Sequence, residues 1–186
     1  MRIFAYGTLK RGERNARLCG DDALRRPATV SGRLYLHPAG HPVLVVPAEL
    51  VLARGSADVA RDAALGRAAQ DARAGIGRRP EHGGRSLPAP EVEGWTRIEG
   101  ELVALADAAS RLPALDALEG LVPGRPAGDY ERVLLPVRTP GGVAAAWAWV
   151  APGGRVDASW VALPGPRWPA ATRDGRAGMI ARGGSA

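Results

Sequence analysis

Two short segments of the chain carry residue types whose spacing could support chemistry. The first is Tyr6-Gly7-Thr8-Leu9, which follows a short stretch predicted to be a strand. A glycine directly after a strand lets the backbone approach a ligand closely. The N–H groups near Thr8 and Leu9 could then point at an anion, or at an oxyanion that develops during a reaction. An ordinary turn between a strand and a loop would explain the same residues, so this segment alone does not define a site.

The second segment is LDALEG, residues 115 to 120, which places Glu119 at the end of a short predicted helix. The partial negative charge at a helix C-terminus disfavours a carboxylate, and burial would raise its pKa further. A glutamate with a pKa near neutrality serves well as a general acid and base. The alternative is a solvated glutamate at a helix end. Asp116 could be a second carboxylate, although a solvent-facing or capping role is favoured for it.

The remaining reactive side chains do not form a recognisable site. His37 and His41 have the spacing of metal ligands on a helix, but Pro38 and Gly40 lie between them and disfavour a helix. Cys19 is the only cysteine, so it is interpreted as a buried bystander that forms no intrachain disulfide. No Ser-His-Asp set, Walker loop or dinucleotide fingerprint is present. The sequence therefore predicts no cofactor and no metal site.

The charge balance bears on the choice of partners. The net charge is +6 and the pI is about 10.6, which could favour nucleic acid. The arginines are scattered, however, and Lys10 is the only lysine, so no nucleic-acid partner is predicted, and attraction of acidic small molecules is the milder interpretation. Since no run of 18 apolar residues and no signal-peptide pattern occurs, we expect no membrane association and a cytoplasmic location.

The elements that must position the two segments are mostly strands. Alternating or apolar patterns predict strands near residues 2–6, 28–36, 43–46, 98–106, 130–138 and 143–150. Asp107 is a candidate cap, Pro113 suits the first turn of the helix, and Gly120 suits its end. Leu112, Leu115 and Leu118 would form its buried stripe. Because helices between successive strands are missing, a small β-barrel with helices packed against it is favoured over a doubly wound parallel sheet.

The chain is expected to form one domain over residues 1–153, interrupted by an insertion at about 48–94. Within the insertion, residues 58–74 predict a surface helix, and residues 75–90 predict a flexible loop because they are rich in glycine, proline and arginine. We expect residues 55–90 to be peripheral to the barrel, and to lie over the mouth of a cavity if they have a role. Residues 154–186 are expected to be a C-terminal extension that is partly mobile.

Taken together, these segments resemble the γ-glutamylcyclotransferases, in the compact branch that includes the γ-glutamylamine cyclotransferases. The resemblance rests on YGTLKRG with Asn15, then HPVLVVP, IEGELVAL, LDALEGL, DYERVLLPV and AWAWV, which follow one another in the family's order. They cover residues 1–47 and 95–150. The combination of YGTL, LDALEG and YERV at increasing positions is far more specific than YGTL alone.

The resemblance implies an α+β fold, a mixed β-barrel of about six strands with short flanking helices. It also implies an enzyme that releases 5-oxoproline and a free amine from a small-molecule γ-glutamyl substrate, with no metal or other cofactor. Tyr6, Gly7, Thr8 and Leu9 would hold the γ-glutamyl group, Glu119 would be the catalytic acid and base, and Tyr130 would line the cavity. A non-catalytic metabolite-binding module of the same fold and a basic RNA-binding barrel are the alternatives. The leaving amine and the oligomeric state stay open.

Overall fold

The computed structural model describes residues 1–74, 87–121 and 128–169. The described part of the chain contains eight strands and two α-helices. The strands are β1 (Arg2–Ala5), β2 (Arg25–Leu36), β3 (Pro42–Val45), β4 (Ala53–Arg54), β5 (Thr96–Ala104), β6 (Glu131–Thr139), β7 (Gly142–Val150) and β8 (Val161–Ala162). The helices are α1 (Val59–Ala74) and α2 (Ala108–Leu118). All six predicted strands are confirmed, and the two-residue strands β4 and β8 are additions that no pattern indicated.

Five of the strands close into a barrel in the order β2-β5-β1-β7-β6, and β6 returns to β2 through the pairing of Arg138 with Thr29. The β1–β7 pair is parallel, and the other four contacts of the circuit are antiparallel. Strands β3 and β8 flank the far end of β2, and β4 pairs with β6. The predicted α+β class and its mixed β-barrel are therefore confirmed.

The two faces of the barrel strands carry side chains of different size. In β7, Ala146 and Ala148 belong to a buried cluster drawn from all five barrel strands, which fills the interior. Trp147 and Trp149 point to the opposite face, where they join a second cluster that includes Leu112 and Leu115 of α2. Since successive side chains of a strand alternate between faces, the sequence AWAWV places small residues inside a narrow barrel and large ones beneath the helices.

Helix α2 begins directly after its predicted cap, and therefore earlier than the position of Pro113 suggested. Asp107 caps it by accepting a 3.3 Å hydrogen bond from the Ser110 N–H, as expected. Pro113 lies in the middle of the helix, so its predicted place in the first turn is wrong. The predicted buried stripe is also wrong at Leu118, which is 41% exposed. Successive residues of an α-helix are rotated by about 100°, so each step of three residues falls about 60° short of a full turn. Two such steps carry the third leucine away from the buried face.

The expectation that residues 55–90 are peripheral is wrong for helix α1. The helix lies outside the circuit of barrel strands, but Asp62 is fully buried and forms an ion pair with Arg132 of β6. Leu65 and Ala69 pack against the core. The alanine-rich composition suggested a surface helix because alanine offers little apolar bulk. Small residues also allow a helix to pack closely, and this is what α1 does against the core. Residues 75–86 lie outside the described part of the chain, as do residues 170–186 of the predicted C-terminal extension.

The first part of the C-terminal extension is attached to the barrel. Strand β8 pairs with β2, and the Arg167 side chain donates a 2.8 Å hydrogen bond to Glu99 of β5. Trp168 packs against the interior cluster. Among the described residues, no helix is both long enough and apolar enough to cross a bilayer.

Candidate active site

A recess opens where the end of β1, the start of β3, the end of α2 and the end of β7 meet. The empty space within it is about 350 Å³, a volume that includes some open solvent at its mouth. The recess is lined by Phe4, Ala5, Tyr6, Gly7, Thr8, Leu9, His41, Pro42, Glu119, Tyr130 and Trp149. All six residues predicted for the site, Tyr6, Gly7, Thr8, Leu9, Glu119 and Tyr130, are therefore brought together in one place.

The loop that follows β1 is held through its carbonyl groups. Gly7 O accepts from Lys10 N at 3.1 Å, and Thr8 O accepts from Asn15 N at 3.0 Å. Leu9 O accepts from Arg25 Nη1 at 2.9 Å. Within residues 1–74, 87–121 and 128–169, the N–H groups of Gly7, Thr8 and Leu9 have no hydrogen-bond acceptor. The loop thus leaves a set of unpaired donors beside the recess, which is the arrangement that a carboxylate or an oxyanion requires.

Gly7 is required by a neighbour that the sequence did not reveal. A Cβ atom at this position would lie 2.7 Å from Cγ of Pro42, well inside van der Waals contact. This glycine therefore permits the start of β3 to approach the loop closely, in addition to the approach of a ligand that the sequence suggested. Pro42 also lines the recess, so the same contact sets the distance between two of its walls.

Tyr6 and Tyr130 form the inner wall through hydroxyl groups that are bonded to the backbone. Tyr6 Oη donates to the Trp149 carbonyl at 2.8 Å, and Tyr130 Oη donates to the Pro42 carbonyl at 2.7 Å. Burial raises the pKa of both phenols above the ordinary value, and the nearby negative charge of Glu119 adds to the effect in each case. Both side chains are therefore neutral hydrogen-bond donors that fix the shape of the recess.

Glu119 is the carboxyl group of the recess. It is the C-terminal cap of α2, and Gly120 follows with φ of +76°, a conformation that suits glycine and ends the helix. Burial, and then the charge of Asp116, raise the pKa of Glu119 to about 7, while Arg14 acts in the opposite direction. No described residue forms a hydrogen bond with its side chain. Near neutral pH this group can both take and give a proton.

Asp116 has neither of the roles that were favoured for it. Its side chain pairs with Arg132 and accepts a 2.9 Å hydrogen bond from Trp149 Nε1. Arg132 is 3% exposed, and it also pairs with Asp62 and donates to Ser56 O at 2.7 Å. Burial raises the pKa of Asp116, and the pair with Arg132 opposes that shift. The solvent-facing or capping interpretation of Asp116 is therefore wrong, because the residue belongs to a buried ion network.

His41, Pro42 and Trp149 line the recess and were missed as site residues. Nε2 of His41 is buried and has no hydrogen-bond partner among the described residues. The sequence had raised His41 only as one of two histidines with the spacing of helical metal ligands, and Pro42 and Trp149 only as members of the HPVLVVP and AWAWV segments of the resemblance. No local signal separates such residues from core residues, because the contacts that define them come from distant parts of the chain.

Cys19 takes no part in the recess. It is 1% exposed and lies beneath the loop, with Sγ 4.0 Å from the Leu9 carbonyl. Burial raises the pKa of its thiol, which keeps it protonated and unreactive. Its interpretation as a buried bystander is confirmed.

The sequence of the chain has counterparts among known proteins. The sequence pattern of the AIG2-like gamma-glutamyl cyclotransferase family matches residues 3–67 and 52–170. This match spans well over half of the chain, and the chain belongs to that family. Its membership supports a cyclotransferase type of function in general. Among curated proteins, none matches the chain significantly.

Three solved structures resemble the chain at low identity. YkqA from Bacillus subtilis is 17% identical with a TM-score of 0.49, and the alignment covers 90% of this chain and 39% of YkqA. An AIG2-like protein from Mus musculus is 19% identical with a TM-score of 0.43, over 83% of this chain and 78% of that one. An uncharacterised protein from Pyrococcus horikoshii is 13% identical with a TM-score of 0.44, over 88% and 85%. The chain thus spans less than half the length of YkqA.

Proposed function

We propose that the chain is an enzyme that releases 5-oxoproline and a free amine from a γ-glutamyl compound by intramolecular aminolysis. The observation that carries the proposal is the presence, in one recess, of a half-buried glutamate and a loop whose N–H groups, like the glutamate side chain, have no hydrogen-bond partner among the described residues. One group can move protons, and the other can stabilise negative charge on a carbonyl oxygen. Family membership supports the same class of reaction.

The steps follow from these two features. Ionised Glu119 takes a proton from the α-ammonium group, and the freed amine attacks the γ-carbonyl carbon to close a five-membered ring. The N–H groups of Gly7, Thr8 and Leu9 stabilise the oxyanion of the tetrahedral intermediate. Glu119 then protonates the leaving nitrogen as the original C–N bond breaks. The ring nitrogen still carries two hydrogens after the attack, and Glu119, ionised again, takes the second proton and passes it to the released amine. Two protons thus move from the ring nitrogen to the leaving nitrogen, so neither a co-reactant nor a covalent enzyme intermediate is required.

The division of labour is consistent with the size of each effect. Ring closure is intramolecular, so the approach of the two reacting groups is already favoured. The protein then has to supply proton transfer, worth roughly 10²–10⁴-fold, and preorganised donors, worth roughly 10²–10³-fold for each donor. A glutamate pKa of about 7 leaves close to half of the groups ionised at neutral pH, which suits a residue that must act in both directions.

The test is incubation of the protein with a panel of γ-glutamyl compounds, with 5-oxoproline as the readout. We expect turnover of at least one compound by the wild type and a loss of about 10²-fold or more in Glu119→Gln, which should still fold and bind 5-oxoproline. Glutamine variants that turn over within a few-fold of the wild type would refute the role of Glu119. Binding of 5-oxoproline without turnover of any compound would favour the alternative, a non-catalytic metabolite-binding module.

A further inference from the structure

The turn between β2 and β3 brings two histidines into contact. His37 N donates to His41 O at 2.9 Å, and Gly40 N donates to His37 O at 2.8 Å, so the backbone reverses tightly between them. The two imidazole rings stack with their centroids 4.3 Å apart. The sequence argument against a metal site assumed that only a helix could bring these residues together. A hairpin does so equally well.

A carboxylate completes the group from a distant part of the chain. Oδ2 of Asp129 lies 3.4 Å from Nε2 of His37. Taking one donor atom from each residue, the donor atoms of His37, His41 and Asp129 all lie within 4.8 Å of one another. Two imidazoles and one carboxylate form a donor set that suits zinc and neighbouring divalent transition metals, with coordination positions left for water or another ligand.

An independent feature of His41 points to a missing partner. Nε2 of His41 is buried and is not bonded to any described residue, and such atoms are rare because the loss of hydration is not repaid.

We propose that His37, His41 and Asp129 form a binding site for a divalent transition-metal ion of the zinc type at the edge of the recess. The proposal does not depend on the cyclotransferase reaction. His41 is shared between this site and the wall of the recess, so a bound ion would place a positive charge beside any ligand there.

Small side-chain movements would complete the site. Donor atoms around tetrahedral zinc lie about 3.3 Å apart, given bonds of about 2.0–2.1 Å, so the widest separation has to close by roughly 1.5 Å. The stacked rings must rotate, and the half-exposed Asp129 side chain is free to follow. One contact must also change: Nδ1 of His37 now accepts a 3.0 Å hydrogen bond from Ala39 N. That N–H is exposed and can bond to water instead, so its release costs little.

The test is titration of the purified full chain with Co²⁺, whose visible d–d absorption reports the ligands, followed by displacement with Zn²⁺. The three ligands are tested as His37→Gln, His41→Gln and Asp129→Asn. The sequence has only three histidines, so His82→Gln, which removes the third, is a matched control. Circular dichroism and the melting temperature show whether each variant is folded.

We expect the wild type and His82→Gln to bind one equivalent of Co²⁺ with the same spectrum. Each of the three ligand variants should bind at least about tenfold more weakly, since even outer-shell changes cost 10–100-fold. Absence of a d–d spectrum in the wild type would overturn the proposal. So would unchanged affinity in a folded ligand variant, or equal loss in His82→Gln, which would indicate adventitious binding.

Discussion

Asp116 accepts a 2.9 Å hydrogen bond from Nε1 of Trp149, which joins the helix that carries Glu119 to the wall of the recess. Asp116 precedes Glu119 by three residues, close to one helical turn, and its charge is second only to burial in raising the pKa of Glu119. The other oxygen of Asp116 pairs with Arg132. One carboxylate therefore both positions α2 and adjusts the protonation of the proposed catalytic group.

Replacement of Asp116 by asparagine should move the pH profile of the proposed reaction. Removing a nearby negative charge lowers the pKa of Glu119 below about 7, because its ionised form is no longer repelled. The acid limb of the kcat profile should therefore shift to lower pH. The measurement is 5-oxoproline release between pH 5 and pH 9, on a substrate identified from the panel.

Arg14 supplies the matched test in the opposite direction. Its positive charge lowers the pKa of Glu119, and the side chain is exposed, so Arg14→Gln should not disturb the fold. Its acid limb should shift to higher pH, by less than the shift in Asp116→Asn because exposed charges are screened. Shifts in the same direction for both variants would show that the limb does not report Glu119.

Glu119→Gln should change how stability depends on pH. The pKa of Glu119 in the folded protein, about 7, lies above its ordinary value of 4.5. The wild type therefore loses stability as the pH rises through this window, since the unfolded chain releases its proton first. The free energy of unfolding in urea should therefore rise for Glu119→Gln relative to the wild type between pH 4 and pH 8, by up to about 3 kcal/mol. A constant difference across this range would mean that the carboxyl group is well solvated.

Gly7→Ala should impair the site more than the fold. The new Cβ would approach Pro42 Cγ to 2.7 Å, and the rigid proline ring can yield only if the loop or the start of β3 moves. We expect kcat/KM to fall by roughly ten- to a hundredfold, the scale of misplacement by about 1 Å. Gly165→Ala is the control, since a Cβ there meets nothing within 4 Å. Equal activity in the two variants would remove the loop from the proposed site.

Loss of the buried ion network should be costly for folding. Asp62→Ala leaves Arg132, which is 3% exposed, without one of its two carboxylates. Removing one partner of a buried pair costs about 3–5 kcal/mol, measured as the free energy of unfolding in urea. Glu91→Ala breaks the exposed pair with Arg138 and should cost less than about 1 kcal/mol. A cost for Asp62→Ala no larger than for Glu91→Ala would restore the view of α1 as a peripheral segment.

The parts of the structure that follow from local patterns could be predicted from the sequence. Alternation such as AWAWV identifies strands because successive side chains of a strand point to opposite faces of the sheet. The loop after Tyr6 and the end of α2 at Glu119 carry glycines at positions that end an element, so both were recognisable before their proximity was known. Their meeting in one recess came from the family resemblance and not from either segment alone.

The parts that depend on distant contacts could not be predicted in this way. Asp62 and Arg132 are 70 residues apart, and an aspartate in an alanine-rich helix resembles any solvated residue. The contact of Gly7 with Pro42, and the approach of Asp129 to His37, likewise join separate elements. A short turn that brought two histidines together was overlooked because only helical spacing was considered.

The position of β1 in the barrel has a consequence for the order in which the chain can acquire its structure. Its partners are β5 and β7, so the first strand of the chain is completed by one that ends at Val150. During synthesis, most of the described chain has to emerge before β1, which precedes the segment from Tyr6 to Leu9, can pair with both β5 and β7. Closure of such long loops is entropically costly and slows folding. The residues proposed to stabilise the oxyanion are thus made before both of the strands that support β1.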